Sequence, residues 1–186
     1  MKQNNGYTLL ELMIALAIIS VLLGQGIPSY QAAVIRSKVS SQLNELTDLL
    51  NLARIYAISR NVVTTICPSA DGKSCSRDWT QGIMLFRDEN LNHTKDLHEN
   101  IIKILPKLPN SHLLTWRAFQ NKNYLQYSPS GFTRSQNGTF RHCVTGETLK
   151  YNRALIITVS GRVRMSQDKN KDGIYEDRKG EPIKCG

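Results

Sequence analysis

The sequence predicts an α+β fold in which one long N-terminal helix packs on a C-terminal antiparallel β-sheet or β-sandwich domain. An apolar segment begins at Tyr7, and an apolar stripe at helical spacing follows it. After Arg60, short runs rich in β-branched residues alternate with polar turns, without the strand–helix alternation of a parallel sheet. The chain has 186 residues, 40% of them hydrophobic, which suits one globular domain beside this N-terminal segment.

The first element is the apolar segment from Tyr7 to Ile27, about the 20 residues that a helix needs to cross a bilayer. Lys2 precedes it, which predicts that this end stays cytoplasmic. The segment is not followed by a small-residue cleavage site, so we expect it to be retained as an anchor. A plain anchor explains neither Gly6 nor Glu11, because a carboxylate in the hydrocarbon layer normally has a partner or a function.

The run from Gly6 to Glu11, GYTLLE, followed by an apolar helix, resembles the type III signal of type IV pilins and pseudopilins. The resemblance implies a prepilin peptidase that cleaves after Gly6 and methylation of the new N-terminus at Tyr7, where most members have Phe. It implies that Glu11 neutralises the terminal amine of a neighbouring subunit, since an opposite charge satisfies a carboxylate in an apolar bundle. The implied partners are other major and minor pilins.

The same resemblance implies a location. The protein would lie in the bacterial inner membrane as a single-pass protein with a periplasmic C-terminal domain. It would then enter a pilus or pseudopilus at the cell surface.

The second element is an amphipathic helix, because apolar residues recur at spacings of three and four and predict a face that packs on a sheet. These residues are Val39, Leu43, Leu46, Leu50, Ala53 and Ala57. Gly24, Gly26 and Pro28 precede the stripe and weaken helical hydrogen bonding there. The predicted organisation is a cleaved leader (1–6), a transmembrane and assembly helix (7–29), an amphipathic helix (30–60) and a periplasmic or extracellular β-rich domain (61–186).

Eight strands are predicted in the β-rich domain from β-branched runs bounded by turn residues. They are Val62–Cys67, Gly82–Arg87, Ile101–Leu105, Leu113–Phe119, Tyr124–Ser128, Thr139–Val144, Ala154–Val159 and Arg162–Met165.

The four cysteines do not show the two-residue spacing of a zinc or redox motif. An exported domain meets an oxidising compartment, which favours disulfides. Four cysteines allow three pairings. We favour Cys67 with Cys75, which closes a short loop, and Cys143 with Cys185, which ties the tail to the sheet.

Basic residues are concentrated late in the chain. The net charge is +9, and the stretch from Arg117 to Arg164 holds eight basic residues and one acidic residue, Glu147. This excess indicates either an anionic partner or an ordinary solvated basic face.

The basic stretch ends in Gly161-Arg162-Val163-Arg164, directly after a strand-like run. Gly161 suits a tight turn, so Arg162 and Arg164 should begin the next strand. Residues i and i+2 of a strand share a face, which directs both arginines outward, about 6.6 Å apart, while Val163 and Met165 face the core. Two guanidinium groups at that spacing suit successive phosphates.

This Gly-Arg-x-Arg sequence resembles a motif of the GspH/FimT group of minor pilins, whose FimT branch is associated with DNA binding during natural transformation. The resemblance implies a minor type IV pilin that binds extracellular DNA through its phosphate backbone and supports DNA uptake. The alternative is a structural minor pilin or pseudopilin that primes filament assembly or contacts secreted protein cargo in type II secretion. The residues expected to form the DNA site are Gly161, Arg162 and Arg164, then Lys150, Arg153, Arg141 and Arg134. The nearby aromatics, Tyr124, Tyr127 and Phe132, are expected in the core.

Catalytic and metal-binding functions find little support. The stretch 88–99 matches a calcium loop except that His93 replaces Gly, and in the loop that begins at Asp168 the final Glu is replaced by Lys179. We therefore expect solvated turns and no metal. The sequence contains no nucleophile elbow, phosphate loop or HExxH motif, so we predict neither an enzyme nor a cofactor.

Overall fold

The computed structural model describes residues 8–177 and 179–185, so the predicted cleavage site between Gly6 and Tyr7 lies outside the described residues. The chain divides into two compact units, Met1–Lys38 and Val39–Gly186. A single helix, α1 (Leu9–Arg60), begins in the first unit and ends in the second.

In the first unit, α1 carries apolar side chains that are exposed all along its length up to Ile27. The most apolar window of 18 residues has a mean hydropathy of 2.1, which is apolar enough to cross a membrane. The backbone N–H of Glu11 donates to Thr8 Oγ1 at 3.3 Å, in the manner of an N-cap. The helix runs without a break through Gly24, Gly26 and Pro28.

In the second unit, the predicted apolar stripe is confirmed, because all six of its residues are buried. Leu49 is also buried, which widens the packed face. Helix α1 ends where Asn61 adopts a left-handed conformation with φ 53° and the N–H of Val62 donates to Ala57 O at 3.1 Å. This residue conformation and hydrogen bond are typical of a helix C-terminus.

All eight predicted strands are present and form two four-stranded antiparallel sheets. The first sheet has the order β3-β2-β1-β5, and the second sheet has the order β4-β6-β7-β8. Their bounds are β1 Thr64–Pro68, β2 Ile83–Arg87, β3 Ile101–Leu105, β4 His112–Ala118, β5 Leu125–Tyr127, β6 Gly138–Val144, β7 Arg153–Ile157 and β8 Val163–Met165.

Most strand ends differ from the prediction by one or two residues, and at β1 and β7 the difference has a local cause. Strand β1 begins after Val62 because the amide of that residue completes the helix end. Strand β7 ends at Ile157 because Thr158 belongs to the turn that leads into β8, where its carbonyl accepts from Gly161 N at 2.9 Å.

An aromatic cluster supports the buried face of the second sheet. Trp79 lies edge-on to Phe140, with ring centroids 4.8 Å apart, and Trp116 lies 4.3 Å from the same ring. Phe140 and its neighbour across the strands, Leu155, are almost fully buried. Contacts of this kind contribute beyond the buried apolar area alone.

The disulfides are Cys67–Cys75 and Cys143–Cys185, the pairing that we favoured from the sequence. Cys67 is buried with Met84 and Phe86 in a small core on the first sheet. The second disulfide joins β6 to the C-terminal tail, where Ile183 is buried and its carbonyl accepts from Asn152 Nδ2 at 2.9 Å.

His142 lies in β6 under α1 and is almost fully buried. Its Nε2 atom donates to Gln42 Oε1 at 2.7 Å and lies 3.2 Å from His112 Nδ1. Burial, followed by the neighbouring His112 and Arg153, lowers the pKa of His142 from 6.5 to about 4.

We expect the folded protein to lose about 3 kcal/mol of stability as the pH falls from 6.5 to about 4, because the unfolded chain binds a proton at His142 before the folded chain does. Denaturant unfolding at a series of pH values measures this loss. His142→Gln should flatten the profile within this window. If His142→Gln left the dependence of stability on pH unchanged, His142 would not be the source of that dependence.

Candidate functional site

The Gly-Arg-x-Arg motif lies in the turn between β7 and β8 and at the start of β8. Thr158 N donates to Arg162 O at 3.1 Å, which closes the turn. Gly161 has φ 77°, and a Cβ atom there would lie 2.2 Å from Gly131 O. Only glycine meets both requirements, since other residues are strained at this φ and need space for a side chain.

Both arginines of the motif are exposed. Arg162 directly precedes β8, and Arg164 lies within it, opposite Ile156 of β7. Val163 is half-buried, but Met165 is 41% exposed, so the prediction that Met165 faces the core is wrong. Strand β8 is an edge of the second sheet among the described strands, which leaves Met165 covered on one side only.

Arg54 of α1 faces the same turn. Its Nε atom donates to Gly131 O at 2.9 Å, and the same carbonyl oxygen lies against Gly161. Arg54 is half-buried, so its guanidinium is held in place by the fold rather than moving freely in solvent.

These elements enclose a groove that we call the arginine groove. Three guanidinium groups, two hydroxyls and one amide line it, and no carboxylate is among its described lining residues. Such a surface donates hydrogen bonds and carries positive charge, which suits an anion with several oxygen acceptors. The lining residues are Asn51, Arg54, Thr158, Ser160, Arg162, Val163 and Arg164.

Arg54 was missed by the sequence analysis. It follows Ala53 of the buried stripe, so a cation at the border of a packed helix face was visible in the sequence. The loop that this side chain meets was not visible, because Gly131 is 77 residues away along the chain.

The other predicted DNA contacts lie elsewhere. Lys150 and Arg153 are at the opposite end of β7 from Gly161, roughly 16 Å away at 3.3 Å per residue. Arg153 lies over the ring of Tyr175, and Arg141 donates to Lys184 O at 3.2 Å. Arg134 is exposed in a loop close enough to Tyr124 to lower the pKa of its hydroxyl, although burial raises that pKa more. The structure brings Arg162 and Arg164 together with Arg54 but not with these four residues.

The two Asp/Asn-rich stretches form hydrogen-bonded turns. Asp88 is buried, and its Oδ2 accepts from Thr65 Oγ1 at 2.7 Å and Gln126 Nε2 at 2.8 Å, which directs that oxygen towards the first sheet. Hydrogen bonds from Asn90 and Asn92 lower the pKa of Asp96. In the second stretch, Asp168 accepts from the backbone N–H groups of Lys171 and Gly173.

Sequence comparisons identify two regions. The pattern of the type II transport protein GspH matches residues 42–161, and the prokaryotic N-terminal methylation motif matches residues 1–24. The type IV major fimbrial protein FimA of Dichelobacter nodosus is 36% identical over 82 residues, which cover 44% of this chain and 47% of that protein. A probable minor fimbrial protein of the same organism is 47% identical over 49 residues, covering 26% and 31%. The chain thus spans less than half the length of these curated relatives.

Solved structures share the fold. The type IV minor pilin FimU of Pseudomonas aeruginosa superposes with a TM-score of 0.57 at 19% identity, covering 71% of this chain and 90% of that one. The minor pseudopilin EpsH of the Vibrio cholerae type 2 secretion system gives 0.51 at 11% identity, covering 69% and 95%. The methylation motif and apolar helix fit a pilin that is anchored in the inner membrane and then assembled into a pilus. With the GspH pattern matching more than half of its length, the chain belongs to the GspH family of minor type IV pilins and pseudopilins, which are structural proteins and not enzymes.

Proposed function

We propose that this minor pilin binds extracellular DNA without sequence specificity and supports DNA uptake during natural transformation. The observation that carries the proposal is the arginine groove, where Arg54, Arg162 and Arg164 converge without a carboxylate among the described lining residues. A phosphodiester backbone presents the charge and the oxygen acceptors that these donors require.

The mechanism is electrostatic. Each guanidinium donates up to two hydrogen bonds to phosphate oxygens, and release of counterions from the DNA drives association. The hydroxyls of Thr158 and Ser160 lie 2.9 Å apart in the groove, hydrogen-bonded to each other, and make its uncharged lining polar. One subunit should bind weakly, with a Kd of about 10⁻⁴–10⁻⁶ M at physiological salt, so several copies or other pilins would hold DNA by multivalency.

The N-terminal part of the proposal concerns assembly. A prepilin peptidase cleaves after Gly6, Tyr7 becomes the methylated N-terminus, and Glu11 neutralises the terminal amine of a neighbouring subunit. The match of the methylation motif to residues 1–24 supports these steps. Glu11 is exposed in the single chain and free of local helix packing, as a residue that contacts a second subunit should be.

We expect the double variant Arg162→Gln, Arg164→Gln to bind duplex DNA at least about tenfold more weakly and to reduce the salt dependence by about two phosphate contacts. The experiment titrates the full chain in non-ionic detergent into labelled duplex at several salt concentrations. The matched control is Lys103→Gln, Lys107→Gln, which removes the same charge from exposed positions on β3 and the loop after it.

Equal losses in both double variants would show that only net charge matters. If the folded wild-type protein did not bind at low salt, the DNA proposal would fail. The better account would then be a structural minor pilin or pseudopilin that primes assembly or contacts secreted cargo. The match to a type II transport pattern favours that second role.

A further inference from the structure

Two phenylalanines are exposed at one end of the second sheet. Phe132, expected in the core, is 51% exposed, and Phe119 is 58% exposed. Tyr127, by contrast, is fully buried as expected. Aromatic side chains bury large apolar areas when they pack against a partner, so two exposed rings at one end of a sheet offer contact area to a ligand.

Phe132 lies in the loop that Arg54 of the arginine groove contacts. It directly follows Gly131, whose carbonyl oxygen accepts from Arg54 and lies against Gly161. The next residue, Thr133, donates its N–H to Val159 O at 2.9 Å. The backbone on both sides of Phe132 is therefore tied to the β7–β8 turn and to α1, which fixes the position of its Cα atom.

Phe119 lies at the same end of the sheet. Its N–H donates to Asn137 O at 3.0 Å, and the preceding residue, Ala118, pairs with Gly138. Gly138 also pairs with Ile157, the residue at which β7 enters the turn. At this end of the sheet, β4 and β8 are three inter-strand spacings apart, which is about 14 Å.

Basic residues accompany both rings. Arg117 of β4 and Arg164 of β8 occupy one row across the sheet, through Thr139 and Ile156 between them, and so share a face. This end of the sheet thus combines exposed aromatics with arginines. Proteins that bind single-stranded nucleic acid combine the same groups, since bases stack on aromatic rings while cations hold the backbone.

We propose that the preferred ligand of this site is single-stranded DNA, or an unpaired end of a duplex, with its phosphates in the arginine groove and unpaired bases stacked on Phe132 and Phe119. The inference rests on the proposed DNA-binding function and names its substrate class. A duplex keeps its base faces stacked internally and offers them to neither ring, so only its phosphates are recognised.

The test compares full-length protein in non-ionic detergent with three labelled ligands of equal length: oligothymidylate, duplex, and a strand of abasic sites. We expect wild-type protein to bind oligothymidylate most tightly. Phe132→Ala should weaken that binding about tenfold while leaving the duplex and the abasic strand unchanged. Phe119→Ala should act in the same direction.

Conservative variants separate stacking from simple apolar contact. Phe132→Tyr should retain the preference for oligothymidylate, whereas Phe132→Leu should lose it although it keeps apolar area. Leu97→Ala, at a fully exposed position in another loop, is the matched control, and melting temperatures check that each variant is folded.

Two results would overturn the inference. The stacking role fails if the phenylalanine variants bind oligothymidylate as tightly as the wild-type protein does, and the exposed rings would then point to a contact within the filament. It also fails if these variants lose affinity equally for all three ligands. If those variants do nothing but the double arginine variant still loses DNA, the proposed function survives and only the single-strand preference falls. A wild-type protein that binds none of the three ligands refutes both.

Discussion

Replacing Gly161 with alanine is expected to destabilise the protein by about 2–5 kcal/mol and to weaken DNA binding in the arginine groove. A left-handed backbone costs alanine about 1–2 kcal/mol, and the residue has φ 77°. The added Cβ would lie 2.2 Å from Gly131 O, so one of the two loops must move, at a further cost of about 1–3 kcal/mol. That movement displaces the acceptor that holds Arg54, which removes one cation from the groove.

The matched control is Gly146→Ala. Gly146 has φ 81°, but a Cβ there meets no atom within 4 Å in the part of the chain that the structure describes. It should therefore show the backbone cost alone and keep DNA binding. Denaturant unfolding and the DNA titration measure both quantities on the same samples. If Gly161→Ala and Gly146→Ala destabilised the protein equally, the close packing of the loop at Gly131 against the turn at Gly161 would be contradicted.

Removing the Cys143–Cys185 disulfide by substituting both cysteines with serine is expected to cost about 4 kcal/mol. The two cysteines are 42 residues apart in the sequence, and chain-entropy arguments give about this value for a loop of that length. The tail should then detach from the sheet, because the hydrogen bonds of Asn152 and Arg141 to tail carbonyls lose their anchor.

The other disulfide supplies the comparison. Cys67 and Cys75 are eight residues apart, and the same argument gives about 2.5 kcal/mol for the corresponding double serine variant. Denaturant midpoints of both variants and amide exchange across residues 166–185 measure the difference. A smaller loss for the long loop than for the short one would contradict the expectation, as would unchanged exchange in the tail.

Local patterns explain why much of the fold was predictable. The stripe from Val39 to Ala57 follows the period of a helix that buries one face, and every predicted member is buried. The eight strands were identified because β-branched runs and turn residues alternate, and turn hydrogen bonds explain the shifted start of β1 and the shifted end of β7. The cysteine pairing that we favoured, one of three that the sequence allowed, is the pairing that the structure shows.

The candidate site was predictable only in part. Gly161, Arg162 and Arg164 are consecutive or nearly so, and their conformation depends on a local turn. Arg153 and Lys150 belong to the same basic stretch, but Arg153 begins β7 and Lys150 lies just before it, at the end of the strand away from Gly161. Basic residues that are close in the sequence are therefore not always close in space, because a strand extends by about 3.3 Å for each residue.

The long apolar helix, the number of strands, the motif at Gly161–Arg164 and the family resemblance were all predictable from the sequence, since each depends on residue types at short spacing. The tertiary structure alone decided that Arg54 joins the motif, that Met165 is exposed at an edge strand and that Phe132 lies at the surface. These outcomes depend on contacts between loops and strands that are tens of residues apart in the sequence. The packing of the whole domain determines these contacts, and the periodicity of apolar residues along the sequence predicts only local secondary structure.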